Sequence, residues 1–349
     1  MALEDLGVVN RERVTDADAL GATTAWFGDK PVAVKRIEGG AVNDTWRVDA
    51  IRMFALRRHR RSYRASVELE HAASDFARDR GIPSPEVLPT IRGTLYLEQD
   101  NVFWTLYEWA AGVPLRQTIL MEEGARRRPT VAEARLMGEW LGRLHIALSD
   151  FELNPSGRPY DEAIGWGDKI PDHETDGTLA RIDVIVAAID ALPEPEAADW
   201  LARDALTSRS SWLDTHRDFR PAPPSEPRQL IHADYNSSNI FVENGRLTAV
   251  IDWDEVHVDW PSVEVVSTSA TSLDLDPSLV SGFLEAYRGQ RDLPWALLEK
   301  AVLHCSWDWA HGLWVQEMVY LENDHRLRPL VGRPPFIPLH EAWPALGDQ

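Results

Sequence analysis

From residue 32 to residue 109 the apolar positions come in short runs set between turn-forming residues, which predicts strands. Runs 32–34 and 45–48 flank Gly39-Gly40, and 53–56 supplies a third strand. Runs 94–99 and 102–108 face each other across Asp100-Asn101 as a hairpin. Two stretches of helical spacing interrupt this pattern. One covers 15–27, with Thr15 as cap and Asp16 and Asp18 in the first turn; the other covers 66–80 and is stopped by Gly81-Ile82-Pro83. The expectation is a small sheet of about five strands with one helix inserted after the third.

Beyond Ala110-Ala111-Gly112 the spacing becomes mainly helical. Residues 131–148 place Leu136, Trp140, Leu141, Leu144 and Leu148 on one face. Residues 150–175 read as loop, 179–192 and 196–215 as helices, and P-A-P-P-S-E-P at 221–227 as a stiff connector. Helices are expected again at 277–288, capped by Asp276 before Pro277, at 294–310 and at 313–322. The proline-rich tail from Arg326 is expected to pack on the surface. The chain therefore divides into a sheet-containing part, 1–109, and a larger helical part, 110–349.

One stretch stands apart chemically. Residues 230–253 read L-I-H-A-D-Y-N-S-S-N-I-F-V-E-N-G-R-L-T-A-V-I-D-W, with two apolar runs around Asn244-Gly245, the dipeptide suited to a two-residue hairpin turn. Local geometry alone then puts Asn239 and Asp252 at the open end of a hairpin, with Asp234 on the loop leading in. Carboxylate and amide oxygens are hard ligands that suit Mg²⁺ carried with a nucleotide phosphate. A zinc site lacks ligands, since Cys305 is the sole cysteine and no tight histidine pair occurs.

Composition narrows the partners. A net charge of −20 disfavours nucleic acid and anionic membranes, which would repel the chain. One cysteine permits no intrachain disulfide, residues 1–14 have no apolar core of a signal peptide, and no run approaches the ~20 apolar residues of a membrane span, so a cytoplasmic protein is expected. Oligomeric state stays open.

H-A-D-Y-N-S-S-N followed by V-I-D-W resembles the aminoglycoside phosphotransferase and choline kinase group, whose motif is H-G-D-x-x-x-x-N and then I-D-W or I-D-F. The resemblance implies an α+β, two-lobed protein-kinase-like fold with a small antiparallel sheet and one helix in the first lobe and a large helical second lobe. It implies ATP or GTP with Mg²⁺ as cofactors. Asp234 becomes the catalytic base, Asn239 and Asp252 the metal ligands, and His232 a brace, a set that phosphoryl transfer requires.

In the first lobe, Gly39, Gly40, Asn43 and Thr45 match the family's G-G-x-x-N pattern over the phosphates. Lys35 precedes those glycines, so Arg57 in A-L-R takes the phosphate-pairing position, with Glu70 as its helix partner and Glu68 as the runner-up. Main-chain groups near Glu108 and Trp109 become the hinge that meets the purine. Where the family has D-P-x-x-D-L this chain reads W-P-S-V-E-V, with Trp260 and Glu264 replacing the two aspartates, a change expected to alter loop bracing rather than phosphoryl transfer.

The acceptor is expected to be a hydroxyl of a small molecule. Acidic and aromatic groups among His304, Trp307, Asp308, Trp309, His311, Trp314 and Glu317 suit an amine-bearing one, such as an aminoglycoside. The alternatives are a protein-directed Ser/Thr kinase of the same fold and a non-catalytic nucleotide-binding regulator.

Overall fold

The computed structural model describes residues 14–37, 43–59, 64–100, 102–116, 128–152, 173–331 and 336–344. Its first sheet is antiparallel throughout. It runs β1 (Ala33–Ile37), β2 (Asp44–Asp49), β3 (Met53–His59), β6 (Val102–Glu108), β4 (Val87–Leu88), with β5 (Leu97–Gln99) also paired to β6. Six strands appear where about five were expected, because the two-residue β4 is too short to show a period. Alternation in β2 turns Trp46 and Val48 inward, where they meet Ala19, Ala22 and Trp26 of α1 (Asp16–Phe27) in a first core. Thr15 caps α1 as expected, and with Asp18 it forms a capping box.

Helix α2 (Arg64–Asp79) follows β3, but its stripe of Leu69, Ala73 and Ala77 is buried in a different, larger core. That core is shared with α3 (Val131–Leu148), α6 (Pro261–Ser272), α7 (Pro277–Arg288) and α8 (Trp295–His311). Helix α3 has the expected bounds and a different inward face. Met137, Leu141, Leu144 and Leu148 are buried together with Gly138 and Gly142, while Leu136 and Trp140 are only half-buried. The two glycines have no side chain to register as apolar, yet α7 lies directly on them. A Cβ at Gly138 would stand 2.0 Å from the Phe283 carbonyl oxygen, and one at Gly142 3.1 Å from that of Tyr287.

Gly138→Ala is therefore expected to destabilise the chain. Overpacking at the upper end of about 1–3 kcal/mol outweighs the ~1 kcal/mol gain in helix propensity. A denaturant midpoint equal to or above that of the parent chain would refute this close helix contact.

A satellite core joins α4 (Thr175–Asp190), α5 (Ala197–Thr215), α9 (Trp314–Tyr320) and the 3-10 helix His325–Leu330. Leu327 and Val331 are each 2% exposed within it, so this part of the tail is not a surface strap as its prolines suggested. The short helix α10 (Leu339–Ala342) packs back on α8, where His340 and Ser306 are hydrogen-bonded at 2.7 Å.

The chemically distinct stretch lies on short strands. β9 (Ile240–Glu243) and β10 (Arg246–Val250) form the expected hairpin, with Asn244 and Gly245 at φ 51° and 73°, and β7 (Val113–Pro114) pairs with β9. β8 (Gln229–Ile231) pairs with β11 (His257–Asp259), so the loop entering the hairpin and the segment leaving it are tied side by side.

Candidate functional site

The loop between β8 and β9 is held from inside. His232 is fully buried; its Nε2 donates to the Ile251 carbonyl at 3.1 Å, while its Nδ1 accepts from the Asp234 amide at 3.3 Å. Burial keeps the ring neutral by lowering its pKa, which suits one donor and one acceptor nitrogen. Ala233 adopts φ 66°, a left-handed conformation that disfavours any side chain. Glu264, 2% exposed near the start of α6, holds that turn. It accepts from the Ala233 amide at 2.5 Å, the His232 amide at 3.3 Å and His145 Nε2 at 2.8 Å. Glu264 therefore braces this loop in the place where the family has an aspartate.

Asp234 emerges from this turn between two amides. Asn236 Nδ2 donates to one carboxylate oxygen at 2.7 Å and Asn239 Nδ2 to the other at 2.7 Å. Both hydrogen bonds of the Asn239 amide group use its nitrogen, the second reaching the Asp234 carbonyl at 3.0 Å. Its oxygen remains as the hard donor. Burial pushes the Asp234 carboxyl up to about 7 against the pull of Asn236, and the nearby Asp254 and Glu255 add to the rise.

Asp252 follows β10 at φ 68° and meets the first sheet. Arg57, on β3, is ion-paired through Nη2 to Asp252 and, at 3.2 Å, to Asp254, and through Nη1 to Glu70 at 3.4 Å. Glu70 also accepts from the Tyr107 hydroxyl at 2.7 Å. Asn43 Nδ2 donates to Asp254 at 2.6 Å. Arg57, Asn43 and Glu70 are therefore brought to the Asp234, Asn239 and Asp252 cluster. Glu68 lies elsewhere, bonded to the Tyr96 hydroxyl at 3.0 Å.

Asp254 was not singled out from the sequence. Its signal was only an aspartate two positions after another.

The donor set fits a divalent cation delivered with phosphates. Three carboxyl groups share one guanidinium, so the acidic groups outnumber the basic one. Burial, opposed by Arg57 and reinforced by Asp254, pushes the Asp252 carboxyl well above its usual range, so added positive charge there is favoured. Among the described residues no three His, Cys, Asp or Glu side chains form a metal cage, so phosphate oxygens would have to complete the coordination.

Other expected residues are distributed as follows. Gly39 and Gly40 lie outside the described residues. Thr45 is half-buried on β2, in register with Arg57. At the expected hinge, Glu108 donates its amide to the Glu86 carbonyl at 2.9 Å, which commits that main-chain group, and its carboxylate pairs with Arg52 at 2.8 Å; Trp109 is half-buried beside it.

The aromatic and acidic set on α8 and α9 divides. Trp307 and His311 belong to the interior, His304 packs edge-on against Trp260, and Trp314 is exposed. Asp308 bonds His173 at 2.8 Å and Glu317 pairs with Arg181 at 2.5 Å.

Behind Glu70, His59 and His71 both bond Thr105 Oγ1, at 3.0 and 3.2 Å, and each is 4% exposed. Burial, with Arg57 adding, lowers His59 to about 3; burial also lowers His71 to about 4, against Glu70. Folded-state values below the unfolded ~6.5 mean that the unfolded chain binds more protons, so this stability is complete above pH ~6.5 and is lost as pH falls towards 4. Each histidine is expected to withdraw about 2 kcal/mol by pH 5. Urea unfolding at pH 8 and pH 5 measures it, and equal stabilities at the two would contradict two neutral buried rings.

An antiparallel sheet with one inserted helix, joined to a larger helical lobe through a shared acidic cluster, is the two-lobed architecture of kinase-like phosphotransferases. The sequence profile of the phosphotransferase enzyme family matches residues 33–298, and the chain belongs to that family. A hygromycin-B 4-O-kinase of Escherichia coli is 60% identical over 30 residues, 9% of each chain. A homoserine kinase of Bradyrhizobium sp. (strain ORS 278) is 28% identical over 202 residues, 56% of this chain and 54% of that one, so the match spans about half of that relative. Among solved structures, amicoumacin kinase hAmiN with AMP-PNP, Ca²⁺ and Ami superposes with a TM-score of 0.60 at 14% identity, over 94% of this chain and 97% of the other. The GDP complex of aminoglycoside 2'-phosphotransferase-IIIa gives 0.53 at 19% identity, over 94% and 98%. These likenesses carry the fold. No described helix is long and apolar enough to cross a membrane.

Proposed function

We propose that the chain transfers the γ-phosphoryl group of ATP or GTP to a hydroxyl of a small molecule. The convergence of Asp234, Asn239 and Asp252 on one side with Arg57 on the other supports this reading most directly. The acceptor oxygen attacks the γ-phosphorus, its proton passes to Asp234, and the bond to the bridging oxygen breaks to release the nucleoside diphosphate. Asn239 and Asp252 would hold Mg²⁺, whose charge neutralises the phosphates. Among the described residues Arg57 Nε is buried without a hydrogen-bond partner, and a phosphate oxygen would satisfy it. Asn43 and Thr45 would lie over the phosphates, and the main chain near Glu108 and Trp109 would meet the base. The lobe boundary falls at 109/110 on this reading.

Sequence relatives named for hygromycin B and homoserine suggest the acceptors to offer first. A coupled ADP-release screen with aminoglycosides, homoserine and simple sugars, run with ATP and GTP and repeated with EDTA, is the test. Acceptor-dependent release abolished by EDTA is expected. A metal-dependent nucleotide thermal shift with no release on any acceptor would favour a non-catalytic binder instead.

A further inference from the structure

Arg57 is 8% exposed, so its guanidinium is costly to leave unpaired and is expected to keep an anionic partner wherever it moves. Its present partners are Glu70, Asp252 and Asp254. If Asp252 holds the metal, as proposed above, a dication and a guanidinium would compete for the same oxygens and repel each other across a few ångströms. Arg57 then has two carboxylates left. Glu70 is the more distant at 3.4 Å and already accepts from Tyr107. Asp254 is 3.2 Å from the same nitrogen that now serves Asp252.

Asp254 is also fixed in place. Trp253, between the two aspartates, is 3% exposed, packs on His232 at 4.7 Å and donates its indole N–H to the Val250 carbonyl at 3.1 Å. From that anchor Asp254 accepts from Asn43 as well, at 2.6 Å. One carboxylate of the helical lobe thus receives two donors of the sheet lobe, one of them, Asn43, itself among the residues expected over the phosphates.

We propose that Asp254 is a positioning residue that takes over Arg57 when Asp252 is committed to metal and nucleotide, keeping the guanidinium in the nucleotide site. Asp254 acts through Arg57 and leaves metal binding to Asp252 and Asn239. The inference rests on the reading of Asp252 as a metal-holding residue.

The test is calorimetric binding of a non-hydrolysable ATP analogue, with and without Mg²⁺, to the full chain and to Asp254→Asn, Arg57→Gln and the double variant. Asp254→Asn is expected to weaken binding about tenfold with Mg²⁺ and by less than about twofold without it, a metal-dependent signature that general structural damage would not produce. In the Arg57→Gln background the same substitution is expected to change affinity by less than about twofold, because its route is gone. Asp254→Glu keeps the charge, guards against a folding defect in the asparagine variant, and is expected to stay within about threefold of the parent.

An equal loss from Asp254→Asn in both backgrounds would overturn the proposal in favour of a direct metal ligand. No loss in the parent background would overturn it outright. Asp252→Asn is run alongside. If it retains the full Mg²⁺ effect, the reading of Asp252 fails and takes this inference with it; if it abolishes the effect while Asp254→Asn is silent, only the inference fails.

Discussion

Asp234→Ala is expected to lower kcat by about 10²–10⁴ while the nucleotide dissociation constant with Mg²⁺ stays close to that of the parent chain. The carboxylate is held by Asn236 and Asn239 at 2.7 Å each, and Arg57 is ion-paired to Asp252 and Asp254, so truncating Asp234 removes the proton acceptor and spares the charges that would face the phosphates. Calorimetry with the nucleotide and steady-state turnover on the acceptor found by screening separate the two quantities. Turnover within tenfold of the parent would remove Asp234 from the base role.

Glu264→Ala is expected to cost about 3–5 kcal/mol of stability, since it leaves buried partners of a charged group without an acceptor. Burial works against the Glu264 charge, yet hydrogen bonds from His145 and from the Ala233 amide prevail and hold its carboxyl below the usual range. Without it, the His232 and Ala233 amides and His145 Nε2 all lose an acceptor, and the left-handed turn at Ala233 loses what stabilises it. Any soluble variant should turn over slowly as well, because the same turn delivers Asp234. A urea midpoint unchanged from the parent would show that water or a rearranged loop replaces those bonds at little cost.

Much of this was readable without coordinates, for physical reasons that differ by element. The bounds of α3 and α7 follow from caps and period, and the β9–β10 turn follows from a dipeptide that tolerates positive φ. Glu70 was separable from Glu68 because order along the chain set its distance from Gly81, and the Arg57 pairing agrees.

What escaped notice depended on tertiary context. Helix α6, P-S-V-E-V-V-S-T-S-A-T-S, is built from residues of modest helix propensity and is stabilised by burial of Val265, Val266, Ser269 and Ser272. The inward face of α3 turned towards Gly138 and Gly142, whose contribution is to let a second backbone approach. Asp254 gained its meaning from Asn43, 211 residues away in sequence, a contact that no local pattern encodes.

Helix α2 carries a consequence for how the chain folds. Its Leu69, Ala73 and Ala77 complete the large core, while Glu70 and His71 on the same helix bond Tyr107 and Thr105 of the first sheet. Neither lobe can lose α2 without exposing its own interior, so the two lobes are expected to unfold together rather than as separate foldons. The boundary between the lobes marks where nucleotide and acceptor would meet, but it does not mark where the chain could be cut.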